Sequence, residues 1–319
     1  MNNEKTSRTF AKKKKKHCRI DALQHYRIIM IPESELIINP DGSIYHLNLR
    51  PEQLAQTIIT VGDPDRVGMV SRHFDHIEHR VQKREFVTHT GTLASTRLSV
   101  ISTGIGTDNI DIVLNELDAL ANIDFKTRTP LSSPISLNII RIGTSGCLQA
   151  DVPLDSFLVS EYGIGLDGLL NFYSQKITSE EKDLLDEFTA QLNEPHIPKP
   201  YIAPGNPSLI EKIGKGDMLR GITLTCPGFY APQGRALRVQ PNTTNFIKKL
   251  NQFQYKNYRL TNFEMETAGI YGLAHALGHK ALSCNALLAN RINHQFSKNP
   301  KEAVEKLIET VLQRLMIND

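Results

Sequence analysis

The stretch "LNIIRIGTSG", residues 137–146, gives the first indication of the fold. Its opening residues form an apolar run typical of a buried strand, and Arg141 then places a charge inside that run. A buried guanidinium without a partner is costly, so Arg141 requires an anionic partner. Gly143 and Gly146 follow, and glycine lets backbone N–H groups approach an anion closely. The stretch therefore predicts a buried strand over 137–143 that ends at an anion-binding turn.

Strand-like runs of this kind alternate with helical periodicity from residue 57 onward. Apolar residues spaced at i, i+3, i+4 and i+7 mark one face of a helix over 110–117, and a second such face lies over 270–277. This alternation is typical of a single α/β domain with a parallel or mixed sheet. The further buried strands are predicted at 57–62, 97–104, 156–160, 221–226 and 281–289.

Two helix starts carry a chemical signature in addition to their spacing. Thr178 and Glu181 form a capping box, in which each side chain bonds to the backbone N–H of the other residue. Asn299 and Pro300 supply a cap and a first turn for the last helix. The buried side of that helix is predicted to contain Val304, Leu307, Ile308, Val311, Leu312 and Leu315.

The basic residues are concentrated at the beginning of the chain. Nine of the 37 Lys and Arg residues lie within residues 1–29, including the run Lys12 to Lys16, whereas the remainder is mildly acidic. Runs of like charge are typically solvated, so we predict a basic, disordered N-terminal extension over 1–29 and one folded domain over 30–319. An RNA-associated role stays open for the extension alone, and nucleic acid is not an expected partner of the domain.

The composition indicates a protein with a large hydrophobic core. With 319 residues, of which 40% are hydrophobic, the chain can bury one extensive domain. It has no run of about 18 apolar residues and no apolar stretch after its basic start, so we expect a cytoplasmic protein without a membrane partner. Cys18, Cys147, Cys226 and Cys284 show neither a CxxC pair nor a Cys/His spacing. Neither disulfides nor a metal site is therefore expected.

Three predicted strand ends place glycine next to a charged or polar residue: "VGDPDRV" (61–67), "STGIGTDN" (102–109) and "RIGTSG" (141–146). Ligands of α/β sheets collect at such ends, where glycine-rich turns and helix N-termini favour anions. Because arginine binds phosphate through two hydrogen bonds, Arg66 and Arg141 predict a site for inorganic phosphate. Taken singly, either arginine also fits an ordinary salt bridge. The turns match neither a P-loop nor the dinucleotide fingerprint, which argues against ATP and NAD.

Two further stretches carry groups that suit a nucleoside. In "CPGFYAPQGRALRV" (226–239), aromatic rings can stack on a planar base while the amide and the guanidinium bond to its edge. In "NFEMETAG" (262–269), a carboxylate at a helix start can accept two sugar hydroxyls. Each stretch also has an ordinary explanation, namely a turn with incidental aromatics and an acidic helix start. Glycosidase chemistry is disfavoured because Glu264 and Glu266 are only two residues apart and do not face each other.

In this order, "VGDPDRV", "KREFVT", "STGIG", "RIGTSG", "FYAPQGR" and "NFEMET" resemble the nucleoside phosphorylase-I superfamily, and within it the uridine phosphorylases. The resemblance runs from about residue 44 to the C-terminus. It implies a three-layer α/β domain with a central mixed sheet that is partly barrel-like and flanked by helices. It also implies reversible phosphorolysis of uridine to uracil and ribose-1-phosphate, a pentosyl transfer in pyrimidine salvage.

The resemblance assigns residues to each part of the substrates. The phosphate site that it implies contains Gly62, Arg66, Arg84, Arg141 and Thr144, with Arg84 supplied by the neighbouring subunit. The ribose site contains His46, also from the neighbouring subunit, and Thr144, Glu264, Met265 and Glu266. The base site contains Phe229, Tyr230, Gln233 and Arg235. The implied catalytic groups are Arg66, Arg84, Arg141 and Arg235.

Residue 290 bears on the choice of base. Asn290 stands where purine phosphorylases of bacterial type carry a general-acid aspartate, and asparagine cannot protonate a leaving purine. Uridine is therefore favoured. A purine or methylthioadenosine phosphorylase stays open as an alternative, as does a non-catalytic nucleoside-binding protein of the same fold. Turnover of deoxyuridine is also left open.

The resemblance implies an assembly but no cofactor. A homodimer is the minimum unit because the site is shared between subunits, and a hexamer built as a trimer of dimers stays open. Inorganic phosphate is a co-substrate. Asn109 stands where bacterial uridine enzymes use a serine to bind an interface potassium ion, so that ion is left open. The stretch "DFKTRTPLSSPIS" (124–136) looks like an insertion that alters assembly.

Overall fold

The computed structural model describes residues 30–317, so the basic extension predicted over 1–29 lies outside the described residues. The strands of the described chain are β1 (Thr57–Val61), β2 (His76–Lys83), β3 (Phe86–Leu93), β4 (Thr96–Ser102), β5 (Ile123–Asp124), β6 (Thr129–Pro130), β7 (Asn138–Cys147), β8 (Phe157–Gly165), β9 (Tyr201–Pro204), β10 (Leu219–Thr225), β11 (Gln254–Tyr255), β12 (Tyr258–Glu264), β13 (Lys280–Asn290) and β14 (Gln295–Phe296). The α-helices are α1 (Pro64–Ser71), α2 (Thr107–Asn122), α3 (Ser179–Leu192), α4 (Pro207–Ile213), α5 (Phe246–Gln252), α6 (Thr267–Leu277) and α7 (Pro300–Met316).

Strand β7 is the centre of the sheet. It pairs in parallel with β1 on one side and with β13 on the other. From β1 the sheet continues through β4 and β3 to β2, and from β13 it continues through β8 and β10 to β12. The carboxyl end of β7 also pairs antiparallel with β12, so that β7, β13, β8, β10 and β12 close into a small barrel. The predicted mixed, partly barrel-like sheet is thereby confirmed.

Alternation along the strands builds a core on each face of the sheet. Ile58 and Ile139 point to the face covered by α2 and α6, whereas Ile59 and Ile140 point to the face covered by α1, α4 and α7. A third cluster lies beneath α3 and α5, beside β10 and β12. The result is the predicted three-layer α/β domain. Within the described chain, no helix is both long and apolar enough to cross a membrane.

Most predicted elements are present, with corrected bounds. β7 extends to Cys147 and not to Gly143, because residues 143–147 continue to pair with β13. Arg141 therefore lies inside the strand. Residues 262–264, which we expected at a helix start, end β12 instead, and α6 begins at Thr267.

The two predicted helix caps differ in outcome. Thr178 and Glu181 form the reciprocal capping box at the start of α3. Asn299 occupies the cap position of α7, but its side chain makes no capping bond. Its backbone N–H donates instead to Ser297 Oγ at 3.1 Å. The capping bond predicted for Asn299 was therefore wrong.

The predicted insertion connects to the first described residues. It contains the short hairpin of β5 and β6 and a loop that leads into β7. Arg128, at the hairpin turn, donates to the carbonyl oxygens of Ile31, Pro32 and Leu36. The insertion therefore holds the segment that leads toward His46.

Replacing Leu307 by alanine should lower the free energy of unfolding by about 2–5 kcal/mol, because it leaves a cavity in the core between α7 and the sheet. Leu307 is fully buried there. Urea denaturation measures the change. Gln313→Ala, at an exposed position of the same helix, is the matched control and should change stability by no more than about 0.5 kcal/mol. Equal effects of the two substitutions would contradict the assigned helix face.

Candidate active site

The candidate site lies where the carboxyl ends of β1, β4 and β12 approach the middle of β7. β1 continues into Gly62, β4 continues into a glycine-rich turn, and α6 begins shortly after β12. A Cβ added at Gly62 would lie 3.4 Å from the Gly104 carbonyl oxygen, so the two turns are close neighbours. Glu266 joins them to α6, since its Oε1 accepts a hydrogen bond from the Gly106 N–H at 2.8 Å.

Arg141 is the buried charge at the centre of this arrangement, with 6% of its surface exposed. Its Nη2 donates to Glu266 Oε2 at 2.6 Å and lies 3.1 Å from Glu264 Oε2. Its Nη1 donates to Asn285 Oδ1 at 2.7 Å. Burial alone would lower the pKa of Arg141, but the charges of Glu264 and Glu266 outweigh burial and raise it. The anionic partners that the sequence required are thus two carboxylates of the same chain.

Gly143 makes room for the guanidinium of Arg141. Residues 141 and 143 point to the same face of β7, and the arginine head lies back over its own strand. A Cβ added at Gly143 would be 1.8 Å from Arg141 Nη1, closer than two non-bonded atoms can approach. Glycine at this position is therefore what allows the guanidinium to reach β13 and α6.

Glu264 and Glu266 differ in how many lone pairs of their carboxylate oxygens stay free to accept further hydrogen bonds. Glu264 is 4% exposed and accepts hydrogen bonds from Thr225 Oγ1 at 2.7 Å and from the backbone N–H groups of Glu266 and Thr267 at 3.0 and 2.9 Å. Burial raises the pKa of Glu264. Glu266 accepts one backbone N–H on Oε1 and the Arg141 guanidinium on Oε2. Glu266 thus retains lone pairs for sugar hydroxyls, whereas Glu264 is largely occupied by the start of α6.

Arg66 lies beside Arg141 at the same edge of the sheet. It belongs to the first turn of α1, and its Nη1 donates to the Ile142 carbonyl oxygen at 3.4 Å. Burial and then the charge of Arg141 lower the pKa of Arg66. An anion placed next to both guanidinium groups would relieve their repulsion. Thr144 is half-buried on the same stretch of β7, and Met265 is half-buried between the two glutamates.

The residues predicted for the base lie together in a second group. The Cζ of Arg235 is 3.7 Å from the centre of the Phe229 ring, and its Nη1 donates to Gln233 Oε1. Tyr230 packs edge-on against Phe229, and both rings are about half exposed. Gln233 is 2% exposed, and its backbone oxygen accepts from Arg291 at 3.0 Å. Burial and then the charge of Arg291 lower the pKa of Arg235 to about 10.

Phe263 connects the base group to the Arg141 cluster. It directly precedes Glu264 on β12, and Arg235 and Arg291 lie 5.7 and 5.4 Å from the centre of its ring. A Cβ added at Gly146 would be 2.8 Å from this ring, so the second glycine of the opening stretch provides its space. The two groups therefore form one continuous site along the ends of β7 and β12.

Arg84 and His46 lie near each other, outside this cluster. Arg84 is exposed at the tip of the hairpin of β2 and β3 and adopts a left-handed conformation with φ of 55°. Within residues 30–317 it has no hydrogen bond to the site residues. His46 is held by Glu116 of α2, with 2.6 Å between Nδ1 and Oε1. Lys83, next to Arg84, donates to the carbonyl oxygen of Tyr45, next to His46.

Several members of the site escaped sequence reasoning. Asn285 bonds to Arg141, and Phe263 and Arg291 complete the base group. Asn285 left a signal, because it is an amide inside the apolar run "ALSCNALLA", as Arg141 is a charge inside its own run. Asn290, which bore on the choice of base, donates from Nδ2 to two backbone carbonyl oxygens.

Other features of the described chain do not mark this site. A cavity of about 630 Å³ lies between residues 50–56 and the insertion, and its walls carry none of the predicted site residues. Among residues 30–317, no group of three His, Cys, Asp or Glu side chains converges to hold a metal ion. Cys147, Cys226 and Cys284 are buried free thiols, and burial raises their pKa values.

The fold and the site define a class of α/β proteins in which a mixed sheet closes partly into a barrel and carries its site at the strand ends. Residues 56–316 match the phosphorylase superfamily, and the chain belongs to that superfamily. The family predicted from six short motifs is thereby confirmed.

Similar proteins include both pyrimidine and purine enzymes. A uridine phosphorylase of Thermococcus kodakarensis is 29% identical over 272 residues, which cover 85% of this chain and 86% of the relative. A DeoD-type purine nucleoside phosphorylase of Listeria welshimeri is 26% identical over 239 residues, which cover 75% and 83%. The solved nucleoside phosphorylase of Trypanosoma brucei, described as showing uridine phosphorylase activity, has a TM-score of 0.80 at 28% identity and covers 88% of this chain and 99% of its own.

Replacing Gly143 by alanine should lower the free energy of unfolding by about 2–5 kcal/mol, because the added Cβ displaces Arg141 from its buried carboxylates. Urea denaturation measures the loss. Gly68→Ala is the matched control, since a Cβ at this helical position of α1 meets no atom within 4 Å. It should be neutral or stabilising by up to about 1 kcal/mol. A harmless Gly143→Ala would contradict the packing of the guanidinium over this glycine.

Proposed function

We propose that this chain catalyses the reversible phosphorolysis of uridine to uracil and ribose-1-phosphate. The observation that carries the proposal is the buried guanidinium of Arg141, which donates to Glu266 and lies close enough to Arg66 for its charge to lower the pKa of Arg66. This arrangement brings an anion site directly against a carboxylate suited to sugar hydroxyls. The named uridine phosphorylases among the relatives support the same reaction.

The residues proposed to bind phosphate explain how the positive charge on the ribose is stabilised. Cleavage of the glycosidic bond develops positive charge on the ribose and negative charge on the base, and the enzyme must stabilise both. Phosphate held by Arg66, Arg141 and the partner's arginine is both nucleophile and counter-charge beneath the sugar, and its positioning supplies much of the acceleration. Glu266 accepts the ribose hydroxyls, with Met265 and Thr144 alongside.

The residues proposed to bind the base explain how the negative charge on the leaving uracil is stabilised. Gln233 and Arg235 present an amide and a guanidinium beside the Phe229 ring, which suits the hydrogen-bonding edge of uracil and the charge that develops on its oxygens. Asn290 is buried, and its Nδ2 donates to the carbonyl oxygens of Gln149 and Val152. It therefore offers no proton to a purine ring, which favours uridine over inosine.

The proposed site is completed by a second copy of the chain. Arg84 would reach phosphate and His46 the ribose 5′-hydroxyl from the neighbouring subunit, which makes a homodimer the minimum functional unit. Their location supports this, because Lys83, next to Arg84, donates to the carbonyl oxygen of Tyr45, next to His46, and Glu116 fixes the His46 ring. No cofactor is required, and inorganic phosphate is the co-substrate. We place the enzyme in cytoplasmic pyrimidine salvage.

Purified enzyme should release uracil from uridine only when phosphate is present, and Arg141→Ala should lower that rate on the order of 10²-fold or more, since charge stabilisation in the transition state is lost. An absorbance assay with uridine, thymidine and inosine, with and without phosphate, measures both. Arg72→Ala, an exposed arginine of the same chain paired with Glu305, is the control and should keep the wild-type rate. Faster turnover of inosine than of uridine would select a purine phosphorylase, and no turnover a binding protein.

Mixing subunits tests the shared site. Arg84→Ala and Arg141→Ala subunits, each nearly inactive alone, should regain about a quarter of the wild-type rate when co-assembled, because half of the dimers then contain one intact site. An Arg66→Ala and Arg141→Ala mixture is the control and should regain nothing, since both arginines come from one subunit. Recovery in the control or none in the test would contradict the exchange of Arg84.

A further inference from the structure

We propose that Asn285 is a positioning residue that fixes Arg141 in its phosphate-binding orientation, an inference that rests on the proposed function. Asn285 is fully buried on β13 and stands in register with Gly143 of β7. Its Oδ1 accepts a hydrogen bond from Arg141 Nη1 at 2.7 Å. The guanidinium occupies the space that a side chain at Gly143 would fill.

Asn285 balances the two carboxylates that hold the other end of the guanidinium. Glu264 and Glu266 both contact Arg141 Nη2, at 3.1 and 2.6 Å, and both lie in the segment that connects the end of β12 to α6. Without a partner on Nη1, the guanidinium would be attracted toward that segment alone. The amide of Asn285 supplies this partner and so keeps the charge extended between β13 and α6.

A neutral acceptor is the suitable partner at this position. The cluster already combines one guanidinium with two carboxylates, and phosphate would add further negative charge. An amide oxygen accepts a hydrogen bond from the arginine without contributing a charge that repels the phosphate. Asparagine therefore holds the cation and leaves its attraction for the anion undiminished.

The orientation of the amide is itself fixed by a closed ring of hydrogen bonds and one ion pair. Asn285 Nδ2 donates to Ser283 Oγ at 3.1 Å, which keeps Oδ1 directed at Arg141. Ser283 Oγ is 2.8 Å from Thr267 Oγ1, and the Thr267 N–H donates to Glu264 Oε2 at 2.9 Å. The ion pair between Glu264 Oε2 and Arg141 Nη2, at 3.1 Å, closes the ring. Such a connected network allows few alternative arrangements.

The ring is joined to the proposed phosphate site through Arg141 and lies apart from the base group. None of its members is among the described contacts of Phe229, Gln233 or Arg235, which form the base group. Loss of Asn285 should therefore weaken phosphate binding more than uridine binding. This selectivity separates a positioning role from a general contribution to stability.

The experiment measures the KM for phosphate and for uridine, together with the phosphate-induced rise in Tm, in wild type, Asn285→Ala and Asn262→Ala. Asn262 is the matched control because it is equally buried in the same barrel and makes the same number of side-chain bonds, to Thr223 and Ser145. For Asn285→Ala the phosphate KM should rise about 10-fold or more, since a bond to a charged group is lost, while the uridine KM changes less than about 3-fold. Asn262→Ala should keep the phosphate KM of wild type.

Each outcome decides the proposal. An unchanged phosphate KM in Asn285→Ala, or an equal rise in Asn262→Ala, overturns the role of Asn285 and leaves the proposed function standing. Wild type without phosphate-dependent uridine cleavage overturns both. If Asn285→Ala does not fold, Asn285→Leu fills nearly the same volume without an acceptor. It should show the same rise in phosphate KM, and a wild-type value would overturn the proposal.

Discussion

A guanidinium buried between two carboxylates and an amide is the interaction on which the rest of the site depends. Arg141 costs free energy to bury, and its partners come from β13 (Asn285), from the end of β12 (Glu264) and from the residue that precedes α6 (Glu266). The packing of α6 against the sheet is therefore coupled to the arginine. Because Glu264 also accepts the first N–H groups of α6, one carboxylate both starts the helix and holds the charge.

The closed barrel explains how distant stretches of sequence meet. β12 returns to β7 through antiparallel pairing at Gly146, which places Phe263 and Glu264 against a strand more than a hundred residues earlier in the chain. The open part of the sheet contributes the glycine turns after β1 and β4 at the same end. The residues proposed for phosphate, sugar and base thus come from separate parts of one sheet.

The sequence allowed prediction of the elements that have a buried face and of the residues that interrupt one. The apolar residues of β1, β4, β7 and α7 follow the pattern expected for buried strands or for a helix with one buried face. Arg141 could be identified because it is a charged residue inside an apolar run. β2 was missed because it is an edge strand that buries no residue fully. Asn285 and Phe263 could not be assigned to the site, because their contacts depend on strand register and barrel closure, which no local pattern encodes. The roles of Arg84 and His46 came from the resemblance alone, and they stay predictions.

β7 belongs both to the open sheet and to the barrel, and this affects how the protein unfolds. This strand belongs to the open sheet through β1 and to the barrel through β13 and β12, so separating the two parts would break strand pairs of β7. Local opening of the kind that exposes amides to exchange is therefore costly at the strand that bears Arg141. We therefore expect the Arg141 cluster to persist until the cooperative unit as a whole melts, and partial denaturation to affect the periphery first.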